Sequence, residues 1–220
     1  MPTTPTPEAL PAAHAAALAH LRAADERMGA LIARVGACRL AVHDPARVGA
    51  QQHFEGLVSA IVSQQLSSKA ADTILGRVRA LGLDEGGALR PERLLALPET
   101  TLRGAGLSGA KTRYVRDLCD HVRRGALPLD RLHDLDDEAV IEALCAVKGV
   151  GRWTAEMVLM FRLGRPDVLP VDDLGIQKGV QKLFRLRSLP EAARMVKLTR
   201  PFRPFRSVAC WYLWRLNEER

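Results

Sequence analysis

The chain of 220 residues has few cysteines and no long apolar run. Its cysteines lie far apart and form no C-x-x-C pair, which argues against disulfides and against a zinc site: Cys38, Cys119, Cys145 and Cys210. No apolar run approaches the roughly 18 residues that a membrane-spanning helix requires. The Pro- and Thr-rich start lacks the basic and apolar regions of a signal peptide. We therefore expect a reduced, cytoplasmic protein that does not bind a membrane.

Strand-like alternation of apolar and polar residues is nearly absent as well. Apolar residues recur at helical spacing instead, and Gly, Pro or polar residues separate the helical segments. The pattern predicts an all-α fold with helices at about 9–35, 53–64, 67–81, 109–123, 136–145, 151–163, 173–186, 190–197 and 205–217. Residues 1–8 contain three prolines, each in a Pro-containing pair with its neighbour, and are predicted to form a disordered tail.

Basic residues outnumber acidic ones, so the formal net charge is +7 and the pI is about 9.7. The excess is concentrated between residues 176 and 207, where Glu191 is the single acid. The cations of this basic strip are Lys178, Lys182, Arg185, Arg187, Arg194, Lys197, Arg200, Arg203 and Arg206. Some of them solvate helix faces, yet the one-sided excess predicts a polyanionic partner.

A glycine-containing run, Val147-Lys-Gly-Val-Gly-Arg-Trp-Thr-Ala155, carries the most information. Gly149 and Gly151 allow a tight turn and a close approach of the backbone to a ligand. Thr154 lies in the first turn of the helix that follows, whose free N–H groups would bind phosphate. Lys148 and Arg152 add positive charge. The run predicts a phosphate-binding hairpin, although G-x-G alone also fits an ordinary connection between helices.

Three blocks together resemble the helix-hairpin-helix superfamily of base-excision DNA glycosylases. The hairpin is Leu144-Cys-Ala-Val-Lys-Gly-Val-Gly151, and a Gly/Pro-containing loop from Leu163 to Leu174 places Asp173 22 residues beyond Gly151. The block from Ala60 to Ala71 resembles the superfamily's DNA-probing segment, and Gly106-Leu-Ser-Gly-Ala-Lys111 resembles its third DNA-facing turn. The likeness spans about residues 28 to 217 and is strongest to AlkA-type 3-methyladenine DNA glycosylase II.

The resemblance implies two helical lobes with DNA in the cleft between them: residues 51–169 as the central lobe, and 9–50 with 170–220 as the terminal lobe. It implies a monomeric, nucleoid-associated, monofunctional glycosylase that flips alkylated bases out of double-stranded DNA and hydrolyses the N-glycosidic bond. No organic cofactor is expected. The four-cysteine iron–sulfur loop of some members is not expected either, because Cys210 alone lies near the C-terminus. The alternatives are a cousin acting on other damaged or mismatched bases and a non-catalytic DNA-binding module.

Asp173 is the expected catalytic residue. Cleavage of an N-glycosidic bond develops positive charge on the sugar, and a carboxylate beneath it would stabilise the transition state and orient the attacking water. Of the adjacent acids Asp172 and Asp173, the second matches the superfamily's catalytic position. The alternative is that Asp173 only caps the next helix, a role that we expect of Asp172 instead.

Trp153 occupies the position where bifunctional members carry a Schiff-base lysine, so no strand-cleaving lyase step is expected. The matching motif projects the base pocket onto Trp153, Met157, Leu174 and Phe205. E. coli-type AlkA has aromatics at the positions of Met157 and Leu174, so this pocket should be less aromatic. Plain core packing is the alternative for these side chains.

The expected DNA contacts come from all three blocks. Gln65 or Leu66 would fill the gap left by the flipped base, and the residues alone do not decide between them. The remaining contacts are expected from Ser67, Ser68, Lys69, Ser108, Lys111, Lys148, Gly149, Gly151, Arg152 and Thr154. In the superfamily, hairpin carbonyls hold a monovalent ion such as Na⁺ or K⁺, which implies the backbone oxygens of Cys145, Val147 and Val150. The Cys145 side chain is expected to be a small core group.

Overall fold

The computed structural model describes residues 12–40 and 49–218, and its regular structure there is helical apart from one isolated bridge between Leu83 and Leu89. The predicted all-α class is confirmed. The α-helices are α1 (Ala12–Ala24), α2 (Glu26–Val35), α3 (Ala50–Ser63), α4 (Ser68–Gly82), α5 (Pro91–Ala96), α6 (Glu99–Gly104), α7 (Gly109–Arg123), α8 (Asp137–Cys145), α9 (Arg152–Phe161), α10 (Leu174–Leu183), α11 (Ala192–Leu198) and α12 (Arg206–Glu218). Among the described residues, 3₁₀ turns cover Leu132–Asp134 and Arg200–Phe202.

The helices divide into two compact units. The first unit contains α1, α2 and the chain from Gly164 onward, and the second contains α3 to α9 and ends at Leu163. The sequence placed that boundary at 169/170. It falls earlier because the 164–169 loop bonds to the start of α12: Ser207 donates its amide to the Pro166 carbonyl at 2.9 Å and accepts from the Val168 amide at 2.9 Å. The predicted tail at 1–8 lies outside the described residues. The other predicted boundary, at 50/51, cuts α3 after its first residue, whereas the whole of α3 belongs to the second unit.

One predicted helix is wrong in its continuity. The pattern at 9–35 predicts a single helix, but the structure breaks it at Asp25. The Asp25 backbone is extended, with φ −159° and ψ 126°, and its carboxylate accepts from the amides of Arg27 and Met28. Asp competes for backbone donors in this way, so it begins a new helix although the apolar spacing continues through it.

The sequence also missed α5 and α6. Each has six residues, which is too short for helical periodicity to be recognised. Pro91 at the first position of α5 is the local signal that was available, because its fixed φ suits the start of a helix.

In the first unit, α10 and α12 approach closely at two glycines. A Cβ on Gly179 would lie 2.6 Å from the Leu213 carbonyl oxygen, and one on Gly175 would lie 2.8 Å from Cδ1 of Trp214. The core of this unit includes Leu21, Ile32, Ile176 and Tyr212, all fully buried. The close approach brings the start of α10 against the indole of Trp214.

In the second unit, α3 packs on α4 and α7, and α8 packs on α9. Its core includes Phe54, Ile61, Val115 and Leu144. Two loops emerge from this core: the turn between α3 and α4, and the hairpin between α8 and α9. None of the described helices is long and apolar enough to cross a membrane.

Candidate nucleic-acid interface

The hairpin between α8 and α9 is built on a tight turn. The Val150 amide donates to the Val147 carbonyl at 3.1 Å, and Gly149 has φ +80°, a left-handed conformation that favours glycine. A Cβ at Gly149 would also run into the ring of Tyr114. Glycine is therefore required here by both the backbone and its surroundings.

Gly151 serves a different purpose. It precedes the first residue of α9, its backbone is extended (φ −98°, ψ 172°), and it offers no side-chain cap to the helix amides. A Cβ there would meet nothing within 4 Å. The start of α9 is therefore exposed and uncapped beside a residue without a side chain, and helix ends of this kind can bind an anion.

The cations flanking the hairpin have acidic partners within the same unit. Lys148 donates its amide to Asp117 at 2.9 Å, and its ammonium lies 3.2 Å from the same carboxylate. Burial raises the pKa of Asp117, but the bonds from Lys148 outweigh it and the net pKa is lowered. Arg152 forms a fork to Glu138 at 2.6 and 3.1 Å and lies 3.3 Å from Glu156. The two cations are thus partly neutralised by acids of their own unit, whereas the amides at the start of α9 have no side-chain cap.

The turn between α3 and α4 has a strained residue at its tip. Gln64 has φ −50° and ψ 126°, Gln65 has φ +58°, and the Leu66 amide donates to the Ser63 carbonyl at 3.1 Å. This is the pattern of a type II turn, which ordinarily carries glycine at the position of Gln65. Gln65 is exposed, and Leu66 is 39% exposed, so neither is buried in the core.

The start of α4 completes this segment. Ser67 caps the helix by accepting from the Ala70 amide at 3.4 Å, and Ser68 and Lys69 lie exposed in the first turn. This placement is compatible with the expected phosphate contacts. The amides of Ser68 and Lys69 come before the Ala70 amide that Ser67 caps, so they are among the first amides of α4, which have no carbonyl partner within the helix.

Ser108 and Lys111 are engaged with the protein. Ser108 caps α7 through the Lys111 amide at 3.2 Å. The Lys111 ammonium donates to the carbonyls of Val62 at 2.7 Å and Gln64 at 2.6 Å, and burial lowers its pKa. The sequence predicted an outward-facing DNA ligand. The structure uses this side chain to bind the end of α3.

A cavity of about 700 Å³ lies between α3 and α9. Trp153, Met157 and Phe161 lie one turn apart along α9 and form one wall, and Trp153 is 48% exposed, so it is not a core aromatic. The other wall is α3, where Gly56 makes room for the Arg162 guanidinium. A Cβ on Gly56 would lie 2.9 Å from Cζ. Leu174 and Phe205, the other predicted pocket residues, belong to the first unit, where Leu174 is 52% exposed and Phe205 packs edge-on against His20.

Asp173 is held firmly at the start of α10. One carboxylate oxygen, Oδ1, accepts from the Ile176 amide at 2.7 Å and from Nε1 of Trp214 at 3.0 Å. Asp173 is therefore the helix cap, and the expectation that Asp172 would cap α10 is wrong; Asp172 is exposed. The two bonds fix the orientation of the carboxylate.

The hairpin carbonyls suit a hard cation. The carbonyls of Cys145 and Val150 accept no hydrogen bond from the described residues, whereas that of Val147 accepts the turn bond. Oxygen ligands of this kind are those that hard cations prefer. The Cys145 side chain is exposed, so the expectation of a core group is wrong.

Comparison with known proteins follows the same segments. The family model for HhH-GPD superfamily base excision DNA repair proteins matches residues 58–204. The chain belongs to this superfamily. It is similar to DNA-3-methyladenine glycosylase 1 of Schizosaccharomyces pombe, with 35% identity over 201 residues that cover 90% of this chain and 86% of that protein.

Two solved structures are similar to it in fold. A DNA-3-methyladenine glycosidase from Bacillus halodurans has a TM-score of 0.78 and 39% identity, and the match covers 92% of this chain and 91% of that one. The Schizosaccharomyces pombe 3-methyladenine DNA glycosylase Mag1, solved in complex with abasic DNA, has a TM-score of 0.77 and 34% identity over 92% of this chain and 97% of that one.

Sequence reasoning did not find four residues that the structure places beside predicted ones: Tyr114, Phe161 and Arg162 in the second unit, and Trp214 in the first. Phe161 could have been found, because it lies four residues beyond Met157 on the same helix face. Trp214 had no such signal. It lies beyond the matched segment and 41 residues from Asp173 along the chain.

Proposed function

We propose that this HhH-GPD protein is a monofunctional DNA glycosylase that flips alkylated purines, of the N3- and N7-methyl type, out of duplex DNA and hydrolyses their N-glycosidic bond. The observation that carries the proposal is the Asp173 carboxylate, fixed by the Ile176 amide and the Trp214 indole. Its relatives support the reaction class, since they include DNA-3-methyladenine glycosylases and one structure with abasic DNA. The product would be an abasic site, the starting point of base excision repair.

The chemistry assigned to Asp173 is electrostatic. Positive charge grows on the sugar as the glycosidic bond breaks, and a carboxylate held in one orientation stabilises that charge without reorganising. The same group can orient or deprotonate the attacking water. Because the Ile176 amide and the Trp214 indole both donate to Oδ1, they define the orientation of the whole carboxylate.

The cavity beside α9 supplies the base pocket in this proposal. N-alkylated purines carry positive charge, and the faces of Trp153 and Phe161 attract cations. A cationic base is already a good leaving group, so no general acid is needed to protonate it. Phe161 adds an aromatic face that the sequence had not predicted for this pocket.

The amides of the hairpin and of the first turn of α4 bind the phosphate backbone, and the protein acts as a monomer on double-stranded DNA. A monovalent cation on the carbonyls of Cys145, Val147 and Val150 would add positive charge beside a phosphate. No organic cofactor enters this scheme.

The decisive experiment compares Asp173→Asn with Asp172→Asn. Asn retains the oxygen that caps α10 and accepts from Trp214, so the fold should persist while the negative charge is lost. Base release from duplexes carrying 7-methylguanine or 3-methyladenine, measured after alkaline cleavage of abasic sites, should vanish in Asp173→Asn with DNA affinity kept within a few-fold. Asp172→Asn, at an exposed site, should remain active.

Base release by Asp173→Asn at the wild-type rate would reject the assignment. A wild-type protein that binds these duplexes but releases no base would favour a non-catalytic DNA-binding module. Release confined to duplexes with oxidised or mismatched bases would favour the cousin enzymes.

The absence of a lyase step is tested separately. Trp153 has no amine with which to attack the sugar, so borohydride should trap no covalent protein–DNA adduct during base release. Nicks should appear only after alkali. A trapped adduct would show that another lysine acts as a nucleophile.

A further inference from the structure

The Lys111 side chain lies against the C-terminal end of α3 and does not point into solvent. The last carbonyls of a helix lack partners within it, and α3 stops at Ser63 without a glycine cap. Lys111, on the first turn of α7, supplies two of the missing bonds, to the Val62 and Gln64 carbonyls. A cation at a helix C-terminus is also favoured by the helix dipole.

The bond to the Gln64 carbonyl has a particular consequence for Gln65. Type I and type II turns differ mainly by a rotation of the peptide plane between their two central residues, which here is the plane carrying the Gln64 carbonyl. A non-glycine residue at the position of Gln65 prefers the type I form, in which its φ is negative. Holding the Gln64 carbonyl on the Lys111 side therefore keeps Gln65 in its left-handed conformation of φ +58°.

A second bond joins this turn to the hairpin. The side-chain amide of Gln64 donates to the Gly149 carbonyl at 2.7 Å. Gly149 is the residue whose conformation defines the hairpin turn. The segment expected to enter the base stack and the segment expected to bind phosphate are thus linked through one side chain.

We propose that Lys111 and Gln64 are positioning residues for base flipping: Lys111 fixes the 63–67 turn so that Gln65 projects as the wedge, and Gln64 couples that turn to the hairpin. Neither binds DNA in this scheme. The inference rests on the proposed function, because the wedge has a role only in a protein that flips bases. It also reassigns Lys111 from the phosphate ligand predicted by the sequence.

The test compares Lys111→Met with Lys69→Met. Lys69 is exposed at the start of α4, and its loss should flatten the plot of log K against log salt by about 0.9, the value for one phosphate contact. Lys111→Met should keep the wild-type slope. Arg77→Met, at an exposed site on α4, controls for the lost charge.

Wedge insertion is read from a duplex carrying 2-aminopurine beside a tetrahydrofuran abasic site, whose fluorescence rises when the stack opens. Lys111→Met should reduce this rise, and the single-turnover release of 7-methylguanine at saturating enzyme, by about tenfold, the effect of losing charged hydrogen bonds. Gln64→Leu should lower both readouts too. Lys111→Arg keeps a cationic donor and should restore part of the signal.

A Lys111→Met protein that flattens the salt slope like Lys69→Met while keeping the fluorescence rise would overturn the proposal. So would one that melts earlier yet flips bases normally at low temperature, because its role would then be structural only. If Lys111→Met does not fold, Gln64→Leu decides, and its normal flipping would overturn the coupling. The abasic duplex requires no base release, so this test stands apart from failure of the glycosylase assignment.

Discussion

Gln65 occupies a backbone conformation that glycine adopts more readily. Its φ of +58° costs of the order of 1 kcal/mol for a residue with a side chain. Its exposure means that core packing does not explain why a glutamine is there. A strained, exposed side chain beside a cavity is the kind of position that function maintains.

Replacing Gln65 should therefore separate stability from activity. Gln65→Gly should raise the free energy of unfolding by about 0.5–1 kcal/mol, because glycine enters the left-handed region without strain. Gln65→Ala keeps the Cβ and should not gain stability. Both should release 7-methylguanine more slowly, as measured in single-turnover assays beside urea unfolding curves. Full activity in both variants would point to Leu66 as the wedge.

At the scale of elements, the two hairpin glycines have distinct duties. Gly149 is required by its positive φ and by the ring of Tyr114. Gly151 has an ordinary extended backbone and empty space where a side chain would be. In the sequence the two glycines form one G-x-G signal, but Gly149 is needed for the fold of the turn, whereas Gly151 leaves open space at the start of α9.

We expect Gly149→Ala to destabilise the protein by more than about 1 kcal/mol, since the left-handed conformation alone costs that much. Gly151→Ala should leave stability unchanged and still weaken binding to damaged and undamaged duplexes alike, because its methyl group stands where a phosphate approaches. Thermal unfolding and fluorescence anisotropy measure the two effects. Unchanged DNA affinity in Gly151→Ala would exclude the start of α9 as the phosphate site.

For the molecule as a whole, fewer cations of the basic strip are available to a partner than the sequence suggests. Arg206 forms a fork to Asp167 at 2.7 and 2.8 Å, and Arg203 lies 3.0 Å from the same carboxylate. Burial raises the pKa of Asp167, but these arginines outweigh it and the net pKa is lowered. Arg187, by contrast, is exposed and makes no ion pair with the described residues.

Salt dependence should distinguish these two kinds of arginine. Arg187→Gln should flatten the slope of log K against log salt by about 0.9, if it neutralises one phosphate. Arg206→Gln should leave the slope near the wild-type value and cost about 2 kcal/mol of stability, because it breaks charged hydrogen bonds that are largely buried. Lesion preference should change in neither. Equal slopes for Arg187→Gln and the wild type would remove Arg187 from the DNA-binding face.

His14 should make global stability depend on pH. It is buried in α1, its ring nitrogens have no hydrogen-bond partner among the described residues, and burial lowers its pKa from the ordinary value of 6.5. The unfolded chain then binds the proton more readily than the folded one, so stability should be full above pH 6.5 and fall as the pH drops toward the lower, folded-state pKa. His14→Leu should flatten this part of a stability profile measured by urea unfolding. If stability depends on pH in His14→Leu as it does in the wild type, another titratable group causes the dependence.

The sequence by itself determined what depends on a few neighbouring residues. Helical spacing predicted most of the helices, and the G-x-G run predicted the hairpin. These signals act within about one turn of helix, so they can be read along the chain. The same locality is why the break at Asp25 was missed, since apolar spacing and a cap gave opposite indications there.

Only the tertiary structure decided what depends on distant residues. Trp214 reaches Asp173 across 41 positions, and Lys111 reaches the Gln64 carbonyl across 47. Arg152 and Lys148 look like free cations in sequence, but folding brings Glu138 and Asp117 to them. A charged or aromatic side chain takes its role from whichever donor or acceptor packing brings within about 3 Å, and no local spacing encodes that partner.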